Sequence, residues 1–519
     1  MRCLSILSIL AVSFGMSFAA PASVLDDDPF VFDNEFNWGY SIVEFTYAPN
    51  PIDRPGRRVL RLNNGDLVLA ADIPLSGHIH DGTSIALTRY APDGQHGLWS
   101  NADPQDVLWG RFLVWPTDPG SFPFSGTRHQ VLDLKQVGNR ILVLYARNHL
   151  LPVENQIMLD VFDIDGERIT SQMVDAGLRL PRSARMQGYL GGSPDGLIHR
   201  VLVAYPHNTH LPESPQWHLK VNRYQFNPDQ TTFLPDDAFH SGQNWRTYSL
   251  GGCASFSDPR HGDDLKLAAS FSSPIASPRL YLANTLSHNG RQDIAVLAVN
   301  GGDSTPQASF GSGTCGRGFR VFEFNDGGEY EHRVAGIVAT ASSPPLLNEV
   351  IHVAANVRRD CGTSGIGLAK IDHTGAFVPS FGNQGYLFFG GATQGAQGTC
   401  PTNRPTHSPA ALVRIGKRLA IAGKYATEGF LPPYDVIENP FIAIVDADSG
   451  TVGDLRTLPI QGSVHWDRVG DGAFVDMVAD GVNRLAIVGD VIDERNQEVH
   501  QRATLTLLVS DRIFGDGHE

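Results

Sequence analysis

IGLAKIDHTGAFVPSFGNQGYLFFGG (residues 366–391), then a Gly/Thr/Pro-rich loop, then SPAALVRIGKRLAIAGKY (408–425), is the stretch that decides the fold. A short apolar run ends in Asp372-His373-Thr374-Gly375, a tight-turn sequence. Ser380-Phe381-Gly382-Asn383-Gln384-Gly385 is a second turn and leads into Tyr386-Leu387-Phe388-Phe389. Two further apolar runs are separated only by Gly416-Lys417. Together these read as four short strands joined by turns, a unit of roughly 60–75 residues.

The unit recurs. Its second strand is read at Leu67–Ala71, Ile141–Tyr145, Val201–Tyr205, Leu265–Ala269, Val350–Ala354, Leu419–Gly423 and Leu485–Gly489. Its third is read at Ile85–Leu87, Met158–Phe162, Leu219–Val221, Ile294–Leu297, Ile366–Leu368, Phe441–Ile444 and Leu505–Leu508. Near-continuous apolar runs, rather than alternating ones, belong to strands covered on both faces. Blades packed face to face supply that environment. The pattern predicts an all-β chain: a seven-bladed β-propeller of four-stranded antiparallel blades. Tandem β-sandwiches are the rival, and regular copies without linkers favour one ring. The last copy stops after its third strand. The missing fourth is read at the other end, where Phe36-Asn37-Trp38-Gly39-Tyr40 compares, one residue shorter, with Phe381-Gly382-Asn383-Gln384-Gly385-Tyr386. A strand over about 36–47 is therefore expected to complete the last blade and remove its exposed edge.

Three pieces carry a family likeness: Ala369-Lys370-Ile371-Asp372-His373-Thr374-Gly375, Ser380-Phe381-Gly382-Asn383-Gln384-Gly385 and Gly416-Lys417-Arg418-Leu419-Ala420-Ile421-Ala422-Gly423. Thr88-Arg89-Tyr90-Ala91-Pro92-Asp93-Gly94 repeats the first. Together they resemble the delta-60 repeat, a β-propeller repeat of exported bacterial proteins. The resemblance implies the fold and transfers no catalytic residue.

Residues 1–22 read as a secretory signal: Arg2, an apolar stretch from Leu4 to Phe18, then small residues. The apolar stretch is short for a membrane span, and no later run approaches that length. The expectation is a secreted or periplasmic protein whose residues 23–519 form a single propeller domain. A formal net charge of −15 argues against nucleic acid as a partner. Charged residues are only 18%, while Gly (54) and Pro (33) are plentiful, which suits many short strands and turns.

Four cysteines follow the signal: Cys253, Cys315, Cys361 and Cys400. An even number in an exported chain reads as two disulfides. The blade map puts Cys253 and Cys315 on one face of the ring and Cys361 and Cys400 on the other, hence the pairs Cys253–Cys315 and Cys361–Cys400. Zinc is the rival use, but there is no C-x-x-C pair.

Long loops fall almost wholly on one face, the expected binding face. Histidines gather there, and His78-x-His80 and His207-x-x-His210 have metal-ligand spacing, although solvated loop histidines are the commoner case. No metal or other cofactor is assigned. The expected starts of the inner strands carry Arg58, Arg128, Arg185, Arg246 and Arg333, a candidate ring of guanidinium groups for an anion. Gly311-Ser312-Gly313-Thr314-Cys315-Gly316 fits G-x-G-x-x-G but is read as a turn, because no helix follows. No G-x-S-x-G, H-E-x-x-H or EF-hand loop is present. The functional expectation is an exported module that binds an anionic small molecule or glycan, or a protein partner, through its loop-rich face. The alternative is a lyase or hydrolase of an anionic glycan with a His/Arg site at the channel mouth.

Overall fold

The apolar runs form strands in the structure, a computed structural model. It describes residues 30–32, 40–43, 56–74, 83–95, 97, 99, 112–115, 127–148, 155–178, 183–193, 196–208, 217–226, 233–250, 255–256, 264–272, 276–288, 291–311, 317–324, 331–340, 349–358, 363–391, 405–428, 436–458, 472–479, 484–495 and 498–510. The signal segment, all four cysteines, His78, His80 and His210 lie outside these residues.

Nearest the N-terminus are β1 (Phe30–Phe32) and β2 (Tyr40–Val43). An antiparallel meander follows: β3 (Gly56–Arg61), β4 (Leu67–Pro74), β5 (Thr83–Tyr90) and β6 (Phe112–Trp115). A second is β7 (Arg128–Val137), β8 (Arg140–Asn148), β9 (Gln156–Asp163) and β10 (Arg168–Ala176). Next come β11 (Arg185–Ser193), β12 (Gly196–Asn208) and β13 (Trp217–Phe226), with β14 (Leu234–Pro235) and β15 (Trp245–Tyr248) both against β13. β16 (Ser255–Phe256) and β17 (Lys266–Ser270) share one edge of β18 (Arg279–His288), and β19 (Arg291–Asn300) and β20 (Phe319–Phe322) complete that unit. β21 (Glu331–Thr340), β22 (Val350–Arg358), β23 (Ser364–Asp372) and β24 (Tyr386–Phe389) form another meander. So do β25 (Thr406–Ile415), β26 (Arg418–Glu428), β27 (Val436–Asp446) and β28 (Val452–Thr457). The C-terminal unit is β29 (Gly472–Ala479), β30 (Arg484–Arg495) and β31 (Glu498–Ser510). Its outer edge is taken by β1 and β2, with Tyr40 opposite Thr506 and Val43 opposite Ala503. Single parallel pairs, Thr83–Arg128 and Gln292–Glu331, join two neighbouring meanders into an eight-stranded and a nine-stranded sheet. The result is an all-β, propeller-like fold. Among the described residues the helical element is one short turn, Asp237–Phe239, and no helix is long and apolar enough to cross a membrane.

The leading strands touch in the order β3, β7, β11, β17, β21, β25, β29, and β29 in turn touches β3. The apolar core follows the same order, because each cluster is shared between consecutive units rather than enclosed within one. Leu142 and Val161 pack with Met186 and Val203, and Leu297 and Leu282 with Leu202 and Val221. Leu69 and Ala71 of the N-terminal meander pack with Val488 and Leu505 of the C-terminal unit. A unit removed from its neighbours would expose both apolar faces, so these meanders stabilise each other.

The turn motifs explain how. In Asp372-His373-Thr374-Gly375, Asp372 Oδ1 accepts the Thr374 N–H at 2.8 Å and the Ala376 N–H at 3.1 Å, and Gly375 takes φ +78°. Phe381 is fully buried and the Gly382 N–H donates to the Ser449 carbonyl of the next unit at 2.8 Å. Ser309-Phe310-Gly311 repeats the device: Phe310 is buried and the Gly311 N–H donates to Thr374 O at 2.7 Å. Each Phe-Gly step plugs its own unit and bonds to the turn of the following one.

One assignment from the sequence is corrected. Leu265–Ala269 lies in the leading position of its unit, as β17, and the second strand is β18. Its apolar run resembles a second strand because both its faces are covered. The misreading shifts the start of that unit back onto β15, which is the outer strand of the preceding unit.

Candidate functional site

Five of the leading strands carry a β-bulge. The register against the second strand skips Arg57, Leu132, Ala335, Ala410 and Val475. Bulges turn backbone groups out of the ladder and re-aim neighbouring side chains. A leading strand also has a free edge, and its N–H groups need partners other than a strand. Carboxylates and hydroxyls of neighbouring units supply them. Asp476 Oδ2 accepts the Val59 N–H at 3.2 Å, and Asp133 Oδ2 accepts the Met186 N–H at 2.7 Å. Asp72 Oδ1 accepts from Val131 at 2.8 Å and Thr285 Oγ1 from Val334 at 3.2 Å. Burial lifts the Asp72 carboxyl above its ordinary range, against the pull of Arg57, whose Nε is 2.7 Å away.

The bulges surround a central cavity of about 330 Å³, lined by all of the leading strands. Its charged wall carries Arg58, Lys135, Arg185 and Lys266 together with Asp133 and Asp476. The opposite wall, from β21 and β25, is apolar: Ala335–Ala339 and Ala410–Val413. Gly336 lets those two strands meet, since a Cβ there would run into Leu412. The bulge carbonyls face the cations. Leu132 O accepts from Arg58 Nε at 2.7 Å and from Arg185 Nη1 at 2.8 Å. Ala410 O stands 3.4 Å from Lys266 Nζ. Arg58 and Arg185 are 7% and 8% exposed, so these guanidinium groups are fixed rather than free in solvent.

Of the arginines singled out from the sequence, Arg58 and Arg185 come together here. The other three do not share the cavity. Counting from the bulge, Asp133 and Gly336 occupy the place of Arg58 in their strands, so Arg128 and Arg333 fall nearer the strand starts, outside the lining. Arg128 is exposed, and Arg333 Nε bonds Gln292 Oε1 at 3.3 Å. Arg246 lies on the outer strand β15, a consequence of the shifted unit start. The expected single circle of five is therefore corrected to a pair plus Lys135 and Lys266. Bulges leave almost no trace in a sequence, so the lysines were not found there.

The histidines divide similarly. His207 sits on β12, with Nδ1 3.5 Å from Asp175 Oδ2, away from the cavity. Asp175 also accepts from Tyr205 Oη at 2.7 Å and Lys220 Nζ at 3.0 Å. His352 and His407 are buried, and burial lowers both to about 4. His352 Nε2 donates to Ala447 O at 2.9 Å, and His407 Nδ1 accepts the Gly391 N–H at 3.1 Å. Both are neutral struts. Among the described residues no three His, Cys, Asp or Glu side chains gather as a metal-ligand set.

No protein-family model and no curated protein matches the chain. Solved structures similar to it include the GH93 alpha-L-arabinofuranosidase of Fusarium graminearum with arabinobiose, at 12% identity over 79% of this chain and 98% of that one, TM-score 0.34. The native arabinanase of Bacillus subtilis is 10% identical over 63% and 96%, TM-score 0.28. An ACO/RPE65 chimera is 10% identical over 59% of this chain and 55% of that one, TM-score 0.31, so the chain spans about half of that protein. Likeness this shallow carries no argument about the site.

Proposed function

We propose that this protein is an exported seven-bladed propeller of the delta-60 repeat kind, closed by its N-terminal strand. In this reading it binds a small anionic ligand, or an acidic group of a larger glycan or protein partner, at the central channel and the loops around it. The observation that carries the reading is charge. Four cations and two carboxylates line the channel of a chain whose net charge is −15. Arg58 and Arg185 are held against one carbonyl oxygen, which puts two guanidinium groups within reach of one anion. A cleft in which cations outnumber carboxylates, inside a protein of net negative charge, focuses field on an anionic ligand.

Calorimetric titration with an acidic oligosaccharide, such as oligogalacturonate, tests it at low and high salt. Binding should weaken as salt rises. Replacing Lys135 and Lys266 together by Ala should lower affinity about tenfold, the scale of 1.4 kcal/mol. Equal affinity in that double variant removes the channel reading. The enzymatic alternative, a lyase or hydrolase of the same class of glycan, would release shortened products from that titration mixture, and chromatography of it distinguishes the two.

A further inference from the structure

A second cavity, of about 400 Å³, lies where the outer strand β15 meets the outer edge of the β17–β20 unit. β15 and the residue after it contribute Arg246, Thr247, Tyr248 and Ser249, and the facing segments contribute Thr305, Arg317 and Phe319. It is not part of the channel. β15 is the third strand outward from β11, roughly 14 Å at the usual inter-strand spacing.

Two guanidinium groups from separate segments thus face one space. Arg246 Nη1 donates to the Ser304 carbonyl at 3.0 Å, and its guanidinium stands 5.4 Å from the Tyr248 ring centre. Arg317 is exposed. Among the described residues neither forms an ion pair with a carboxylate. The nearby acid, Asp303, is engaged in its own turn, where Oδ1 accepts the Thr305 N–H at 3.0 Å and the Thr305 hydroxyl at 2.6 Å. The Tyr248 hydroxyl donates to Ser304 O at 2.8 Å, which fixes the ring on which Arg246 rests. Burial lifts this phenol well above its usual range, so it stays neutral and adds no negative charge.

We propose that this cavity binds a hydroxylated organic acid, of the size of a single uronic acid residue. The guanidinium fork matches a carboxylate bidentately, which an ammonium cannot do. The Thr247 hydroxyl, and the Thr305 hydroxyl as an acceptor because its proton goes to Asp303, suit the hydroxyls of such a ligand. Tyr248 and Phe319, both nearly buried in the core, close the cavity on its apolar side. The volume falls in the range of about 300–1,000 Å³ usual for small-molecule sites.

Calorimetry with D-galacturonate, and with neutral D-galactose for comparison, tests the proposal on the full exported chain. Galacturonate should bind and galactose should not. Affinity should fall at least tenfold in Arg317→Ala, an exposed side chain, and in Arg246→Gln. Arg358→Ala, which removes a positive charge from β22, should leave it unchanged. No binding of galacturonate at low salt, equal binding of galactose, or unchanged affinity in Arg317→Ala would overturn the proposal. Should Arg246→Gln unfold, Arg317→Ala alone decides. Loss of channel binding in the Lys135 and Lys266 variant bears on the other site and leaves this test intact.

Discussion

Arg58 and Arg185 donate to the same acceptor, the carbonyl oxygen of Leu132, from the units on either side of it. Leu132 is the extra residue of a bulge, where the ladder to the second strand is locally disrupted. Either arginine alone can satisfy the Leu132 carbonyl. Single replacement by Met should therefore cost about 1 kcal/mol, the usual net value of a hydrogen bond, while the double variant strands the oxygen and should cost about 1–3 kcal/mol beyond the sum. Urea unfolding of the three variants measures this. Strict additivity would show that the shared carbonyl is not what couples the two side chains.

A pH dependence follows from His352 and His407. Burial lowers both from an ordinary 6.5 to about 4, so the folded state prefers the neutral ring. Their contribution is complete above the unfolded value of 6.5. It declines as pH falls from there towards 4, because the unfolded chain takes up protons that the folded one refuses. For His352, the more deeply enclosed, this is on the order of 2–3 kcal/mol. Unfolding free energy measured between pH 7 and pH 4, roughly the window between the two values, should fall less steeply in His352→Gln than in the parent chain. Parallel slopes would contradict it.

The two Phe-Gly steps at Phe310-Gly311 and Phe381-Gly382 should be sensitive to replacement, because both rings are buried. Phe381→Ala removes a fully buried ring packed on His352 at 5.6 Å between centroids and should cost about 3–5 kcal/mol. Gly311→Ala should also destabilise, because a Cβ would run into the Phe319 carbonyl at a residue with φ +81°. Gly416→Ala is the comparison: φ is +56°, yet nothing lies near the added carbon. Thermal melts should rank Gly311→Ala well below Gly416→Ala.

The strands were legible because burial on both faces writes itself into sequence as apolar runs, and the turns because Asp and Gly are demanded by particular hydrogen bonds and by positive φ. The same signal failed at Leu265–Ala269. A leading strand packed between neighbours is as apolar as a second strand, and only the pairing with β18 separates them. That slip carried Arg246 from the rim to the centre. The channel was half legible: Arg58 and Arg185 were found as repeat positions, whereas Lys135 and Lys266 are brought in by strand register and bulges that no residue type announces.

The slip also removes the premise that put Cys253 and Cys315 on one face, and those residues lie outside the described ones. A different observation favours their pairing. Ser249 and Arg317 line one cavity, and they stand four residues before Cys253 and two after Cys315. Non-reducing peptide mapping should recover Cys253 linked to Cys315, leaving Cys361 with Cys400. A Cys253–Cys361 or Cys253–Cys400 peptide would show that the chain past Ser249 turns the other way.

The N-terminal strand yields the last prediction. β2 runs antiparallel to β31, with Tyr40, Ser41, Ile42 and Val43 opposite Thr506, Leu505, Thr504 and Ala503. Thr504, Leu505 and Thr506 are buried, and Leu505 packs in the cluster shared with Leu69 and Ala71. Without β1 and β2, β31 becomes a long edge strand with unpaired N–H and C=O groups, which is a template for another chain. Deleting residues 23–47 should therefore leave the strand content nearly unchanged by circular dichroism but shift the protein to dimers or aggregates in light scattering. Ile42→Pro, which puts a residue unsuited to a strand interior into β2, should do so more weakly. A monomeric deletion variant of unchanged stability would show that closure does not depend on this strand.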